Sequence, residues 1–421
     1  MSAREQLRRG WCPSPLRPME SGDGLLLRVR PQVAAFSLHQ LRTIASVAEK
    51  YGSGQIDLTN RANLQVRGLS PQSYGNALGE LREAKLVSDT EVTAGIITDP
   101  LTGLDPARID VRPLVKDLEQ RLAAHSAQFA LPGKFGFEVS GSTSPVPGHT
   151  RADILITAGR GGKFAVRLDG DEVQAAFATQ ADIADAATSI AAVFVTLAAA
   201  GPPLRRMRDA VARHGAQALF EMAGLTAERS PLPSGATGRA SAGKIGFAQK
   251  PFAVGIGLPF GRIGATQLLA LSEAAAQARC PDVRTSKQRT LIFPANGDAA
   301  DFILAKAQSL GLITDEFDPR LDASVCPGAP ACRNATTDTR SDAARLIEGL
   351  TVRGLSQASV HVSGCIKGCA RSSPADFTFV ARNGAYDLVR GGSTDETPHI
   401  VNIAPNDMAA AVSRSGEKVA P

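Results

Sequence analysis

The chain is written twice, and that repetition limits its fold more than any single motif does. Residues 59–89 align without a gap on residues 285–315. Thr59 meets Thr285, Val66 meets Ile292, Leu78 meets Leu304, and Leu86-Val87-Ser88-Asp89 meets Leu312-Ile313-Thr314-Asp315. Identities are few, so the order of elements carries the match. Each copy reads strand, helix, strand, strand, helix. In the first, 25–29 is an apolar strand, 56–59 and 64–67 are short strands, and 74–85 is a helix. Between them Leu38, Leu41, Ile44, Ala45 and Ala48 recur at helical spacing behind Ser37, a suitable N-cap. The second copy repeats the series at 253–258, 266–278, 283–285, 290–293 and 299–310.

A further repeat follows each half. Val139-Ser140-Gly141 stands opposite Val362-Ser363-Gly364, and Ala152-Asp153 opposite Ala375-Asp376. The expected fold class is α+β, a tandem pseudo-twofold repeat of ferredoxin-like half-domains with two larger mixed α/β domains. The expected divisions are a first half-domain at 1–89 and a first larger domain at 90–225. A turn-rich linker and second half-domain follow at 226–315, and a second larger domain at 316–421.

Four of the six cysteines fall in two short loops, Cys326-Pro-Gly-Ala-Pro-Ala-Cys332 and Gly364-Cys365-Ile-Lys-Gly-Cys369. Four thiolates on small-residue loops suit a 4Fe-4S cluster, with backbone N–H groups free to approach the sulfurs. Structural zinc takes the same donors but usually at closer spacing. The alignment sets Ser142 opposite Cys365 and Val146 opposite Cys369, so the first copy has the loop without the ligands. Cys12 and Cys280 read as buried or neutral thiols. No histidines are paired at metal-binding spacing, and His361 and His149 are the candidates for any second iron.

Composition narrows the partners. Hydrophobic residues at 43% and charged residues at 21% describe an ordinary globular chain. Clustered cysteines and a polar start after Met1 point to a reducing, cytoplasmic setting. The apolar run 186–200 is short for a bilayer span and reads as a buried helix. Net charge is +5, yet aromatics are only 5%, which favours a small polyanion over nucleic acid and its base stacking. Gly159-Arg160-Gly161-Gly162 reads as a hairpin rather than a strand-to-helix turn, so no nicotinamide site is expected and electrons come from a separate donor.

The tandem repeat, the two cysteine pairs, Leu58-Thr-Asn-Arg61-Ala-Asn63-Leu-Gln65 and Leu131-Pro-Gly-Lys134-Phe together resemble the sulfite/nitrite reductase superfamily. The resemblance implies a 4Fe-4S cluster on Cys326, Cys332, Cys365 and Cys369. It implies Arg61 and Lys134 as catalytic groups, with Arg61, Asn63 and Gln65 at the substrate; Lys287, opposite Arg61 in the repeat, and Arg289 nearby are further substrate-binding candidates, with a surface role the alternative. Gly136 stands where the superfamily has a second lysine, and Ile366-Lys367-Gly368 replaces its usual spacer. With Arg9-Gly-Trp-Cys12-Pro and Arg17-Pro-Met-Glu-Ser-Gly-Asp23-Gly24, these departures look most like the branch that hydroxylates the tetrapyrrole precorrin-3A. That branch uses O2, forms precorrin-3B with a γ-lactone, and serves aerobic cobalamin biosynthesis. It implies an additional non-haem iron and electrons from NADH through a reductase or from a ferredoxin-like donor. The alternatives are a sirohaem-dependent sulfite or nitrite reductase and a non-catalytic iron–sulfur tetrapyrrole-binding protein. No membrane or nucleic-acid partner is expected.

Overall fold

The structure is a computed structural model and describes residues 7, 11–87, 94–125, 131–148, 150–233, 241–247 and 250–414. Ser88, Asp89, His149, the centre of the linker and the tail beyond 414 lie outside the described residues.

The first repeat unit holds strands Gly24–Val29, Gln55–Leu58 and Leu64–Leu69 with helices Leu38–Tyr51 and Pro71–Glu83. The second holds Lys250–Gly257, Val283–Thr285 and Thr290–Phe293 with Ala265–Gln277 and Gly297–Ser309. Register repeats with the elements: Ile56 opposes Val66, and Arg284 opposes Ile292. Local chemistry sets the boundaries. The Ser37 hydroxyl accepts from the Gln40 N–H and the Gln40 side chain answers at the Ser37 N–H, a capping box that starts the first helix.

The two units exchange edge strands. Ala35–Phe36 of the first pairs with Val283–Thr285 of the second, and Arg262–Gly264 of the second pairs with Gln55–Leu58 of the first. One apolar core serves both, joining Leu41, Ile44 and Val66 to Ile256, Leu268 and Leu291. Buried Cys280 lies in that core, where burial pushes its thiol up to about 11.

Each unit is followed by a larger sheet. The first, six-stranded, contains Gly95–Thr98, Gly136–Ser140, Ile154–Ala158, Phe164–Leu168, Gln174–Ala178 and Ala227–Arg229. The second contains Ala323–Val325, Val360–Ser363, Ala375–Arg382, Ala385–Gly392 and Ile400–Ile403. In both, three parallel strands lead and antiparallel strands follow. Thr98, Val139 and Ile156 stand side by side as Val325, Val362 and Phe379 do. The glycine-rich 159–162 segment is the tight turn between antiparallel strands. Helix Ile183–Ala200 is long and apolar enough to cross a membrane, but Ile183, Ala187, Ile190 and Phe194 bury one face in the core of the first large sheet.

Candidate metal centre and adjoining cavity

The two cysteine loops leave neighbouring parallel strands on the same side. Buried Cys326 follows Ala323–Val325, and its N–H donates to the Val362 carbonyl at 3.3 Å. Thr339 Oγ1 donates to the Cys326 carbonyl at 2.8 Å, and the Ala329 N–H to the Thr337 carbonyl at 2.8 Å, folding the loop back on itself. Gly328 makes that turn at φ +71°, where a Cβ would press on the Thr339 hydroxyl. The second loop leaves Val360–Ser363, and the Gly364 N–H donates to Cys326 Sγ at 3.1 Å. Ser363 Oγ holds the Cys365 carbonyl at 2.7 Å, and Thr394 Oγ1 holds that of Ile366 at 2.8 Å.

None of the six cysteines is in a disulfide. The loop thiols feel one another. Burial raises Cys365, and Cys332 and Cys326 raise it further. Cys369 is pushed up to about 11 by burial, with Cys326 and Cys365 adding to the shift and Lys367 and Lys134 opposing it. Among the described residues, no group of three or more His, Cys, Asp or Glu converges on a single metal ion. Two glycine-bearing loops, four neighbouring cysteines and an N–H aimed at sulfur fit a 4Fe-4S cluster, whose ligands stand farther apart than those of one ion. His361 is fully buried within its strand, and the described residues supply no ligand set for a second iron.

The first copy has carboxylates where the second has cysteines. By strand register, Asp99 follows Thr98 as Cys326 follows Val325, and Asp105 has the spacing of Cys332. One guanidinium joins these carboxylates: Arg108 reaches Asp99 at 2.7 Å and Asp105 at 2.8 Å. Val146, opposite Cys369, is buried, and its N–H donates to Glu138 Oε1 at 2.8 Å. Glu138 also takes Lys287 at 2.7 Å, with both side chains 2% exposed. The Lys287 ammonium is held by Glu138 and the Thr150 carbonyl, so it fastens the second repeat unit to the first large sheet.

Arg61 and its neighbours lie together. They sit on the tight turn 59–63, where Ala62 has φ +57° and the Thr59 hydroxyl accepts the Asn63 N–H. Arg61 Nη1 donates to the Lys134 carbonyl at 2.8 Å, bringing the two sequence motifs into contact. Exposed Lys134 is close enough to Cys369 to favour its thiolate. Asn60, on the same turn, reaches the Ala370 carbonyl at 3.4 Å, and Arg289 reaches that carbonyl at 3.1 Å. The turn therefore touches the second cysteine loop on one side.

On its other side is a small cavity of about 20 Å³ lined by Arg28, Arg30, Arg61, Asn63, Gly95 and Gly136, among others. That space admits water or one carboxylate head, not a macrocycle. Burial, then Arg206 and Arg28, hold the Arg61 guanidinium below the usual arginine range, with Asp153 opposing. Gln65 is half-buried, its amide against the Arg28 guanidinium at 2.9 Å in the orientation that satisfies both. Gly136 is needed structurally: a Cβ there would meet the Gly95 carbonyl oxygen at 2.9 Å, with Arg61 Nη1 3.7 Å away. Sequence reasoning missed Arg28 and Arg30. They stand on and just after an alternating strand, where an arginine reads as the solvated face.

Residues 17–84 match the nitrite/sulfite reductase ferredoxin-like half domain. Precorrin-3B synthase of Sinorhizobium is 29% identical over 98% of this chain and 89% of its own length. The assimilatory ferredoxin-dependent nitrite reductase of Haloferax mediterranei is 24% identical over 86% of this chain and 72% of its own. The structure of the NirA protein of Mycobacterium tuberculosis superposes with a TM-score of 0.71, at 18% identity, over 93% of this chain and 80% of that one. The chain resembles precorrin-3B synthase and has the sulfite/nitrite reductase fold. These relatives are named as a precorrin-3B synthase and a nitrite reductase, and the matches to them span most of this chain.

Proposed function

We propose that the protein hydroxylates precorrin-3A to precorrin-3B with γ-lactone formation, consuming O2 and electrons that arrive through a 4Fe-4S cluster. Cys326, Cys332, Cys365 and Cys369 hold the cluster, which supplies one-electron transfer. Arg61 and Lys134 face the reacting centre. Arg28, Arg30, Asn63 and Gln65 receive substrate, with Arg289 bridging to the cluster loop. The observation that carries the reading is the 59–63 turn, which joins an arginine-lined cavity to the second cysteine loop. Guanidinium forks suit carboxylates, and precorrin-3A carries many. The cavity takes one carboxylate, and the macrocycle lies across its mouth towards Cys369. The donor is a ferredoxin-like protein or an NADH-dependent reductase.

Anaerobically prepared protein is expected to convert precorrin-3A only after O2 and a reductant are added, as read by mass spectrometry. Cys369→Ser is expected to lose both cluster absorption and turnover. Conversion without O2 would overturn the monooxygenase reading, and intense sirohaem bands in the purified protein would favour a reductase.

A further inference from the structure

Beside Cys326 the buried charges do not balance. Asp57, 8% exposed, pairs with Arg262 at 2.7 Å and Arg340 at 2.9 Å, and lies 3.6 Å from Arg67, which has Asp23 as its own partner. Arg289 shares this pocket, giving its hydrogen bonds only to the Ala323 and Ala370 carbonyls. Arg262, Arg340 and Arg67 thus crowd one carboxylate, and Arg289 lies beside them bonded to backbone carbonyls alone among the described residues. Among the described residues, Arg340 Nε and Nη1 are buried with no hydrogen-bond partner, and so is Arg371 Nη1. Arg371 spends its other nitrogens on the Ser373 and Pro374 carbonyls, with Asp376 and Asp322 near it. Burying unpaired guanidinium donors is costly unless an anion completes the site. Both arginines sit against the cysteine loops: Arg340 follows Thr339, whose hydroxyl holds the Cys326 carbonyl, and Arg289 is bonded to the Ala323 and Ala370 carbonyls beside the two loops.

We propose that Arg340 and Arg289 are positioning residues whose positive charge compensates the anionic 4Fe-4S cluster and sets its reduction potential. The inference rests on the cluster assigned above and goes beyond it, because Arg340 and Arg289 neither line the cavity nor, among the described residues, hydrogen-bond a cysteine. A buried positive charge near an acceptor favours the state with one more electron, so its removal lowers the midpoint. Asp57 keeps these cations in place and lets α-helical residue Arg340, near the start of Thr339–Val352, face the loop.

The test is spectroelectrochemical titration of the loaded full-length protein, with iron and sulfide counted in each sample. Arg340→Gln and Arg289→Gln are expected to retain iron and to titrate at a more negative midpoint than wild type. Arg340→Lys, which keeps charge and loses the fork, is expected to stay near wild type. Arg345→Gln, on the same helix with its guanidinium on Asp342, is the unmoved control. An unchanged midpoint in loaded Arg340→Gln or Arg289→Gln overturns the proposal, as does an equal fall in Arg340→Lys. Iron lost from Arg340→Gln but retained by Arg340→Lys supports it, whereas iron lost from both shows a folding role and overturns it. Wild type without iron and sulfide would instead sink the cluster assignment itself.

Discussion

Asp57 is a carboxylate with three guanidinium neighbours and almost no water. Burial would raise its pKa, but Arg340, Arg262 and Arg67 overcome that and hold it at about 2, below the ordinary 3.8. Because the folded value is depressed, its stabilisation is present above the unfolded value and is lost as pH falls from about 4 towards 2. The shift corresponds to roughly 2 kcal/mol. Urea unfolding is expected to show that loss across this window, and Asp57→Asn is expected to flatten it. An equally steep acid limb in the variant would contradict the assignment. Single residues were also where sequence was least informative. Lys287 aligns with Arg61 and carries the same charge, yet Glu138, far away in sequence, neutralises it. Arg28 and Arg30 carried no motif at all. Cysteine spacing was legible because ligands sit in short local loops, whereas an arginine's role depends on which distant surface it meets.

At the scale of elements, the strands and helices of both repeat units were legible because hydrophobic period and capping are local signals. The strand exchange was not. Ala35–Phe36 and Arg262–Gly264 are too short to show a period, and their partners lie in the other unit. The metal-free loop of the first copy was half legible. Ser142 and Val146 marked missing ligands, but the Asp99–Arg108–Asp105 triad emerged only from strand register. This triad closes the loop as the cluster would close its counterpart. Asp99 is 1% exposed, so Arg108→Gln strands a buried carboxylate. The expected cost is about 3 kcal/mol, read as a lower denaturation midpoint with iron content unchanged. A change under about 0.5 kcal/mol would show that water, not Arg108, satisfies Asp99.

At the scale of the molecule, the duplicated plan makes the two repeat units inseparable. Their sheets complete each other and share one core. A fragment spanning 17–84 is therefore expected to lack cooperative thermal unfolding by circular dichroism, although the family match covers just that stretch. A cooperative fragment would contradict the shared-core account. The cluster side is tied down from far away in sequence as well. Arg67 and Ser21 both donate to the Ala331 carbonyl, and a Cβ on Gly22 would run into the Pro330 carbonyl oxygen. The second copy thus holds its cysteine loops inside a frame that the first copy builds.

The central claim is that the arginine cavity and the cluster meet at the 59–63 turn. It is tested most directly by electron paramagnetic resonance of the reduced, anaerobic protein, titrated with a polycarboxylate tetrapyrrole. The account predicts that binding shifts the cluster signal in wild type and that Arg61→Ala weakens or abolishes the shift. A tetrapyrrole that binds without altering the signal would contradict it.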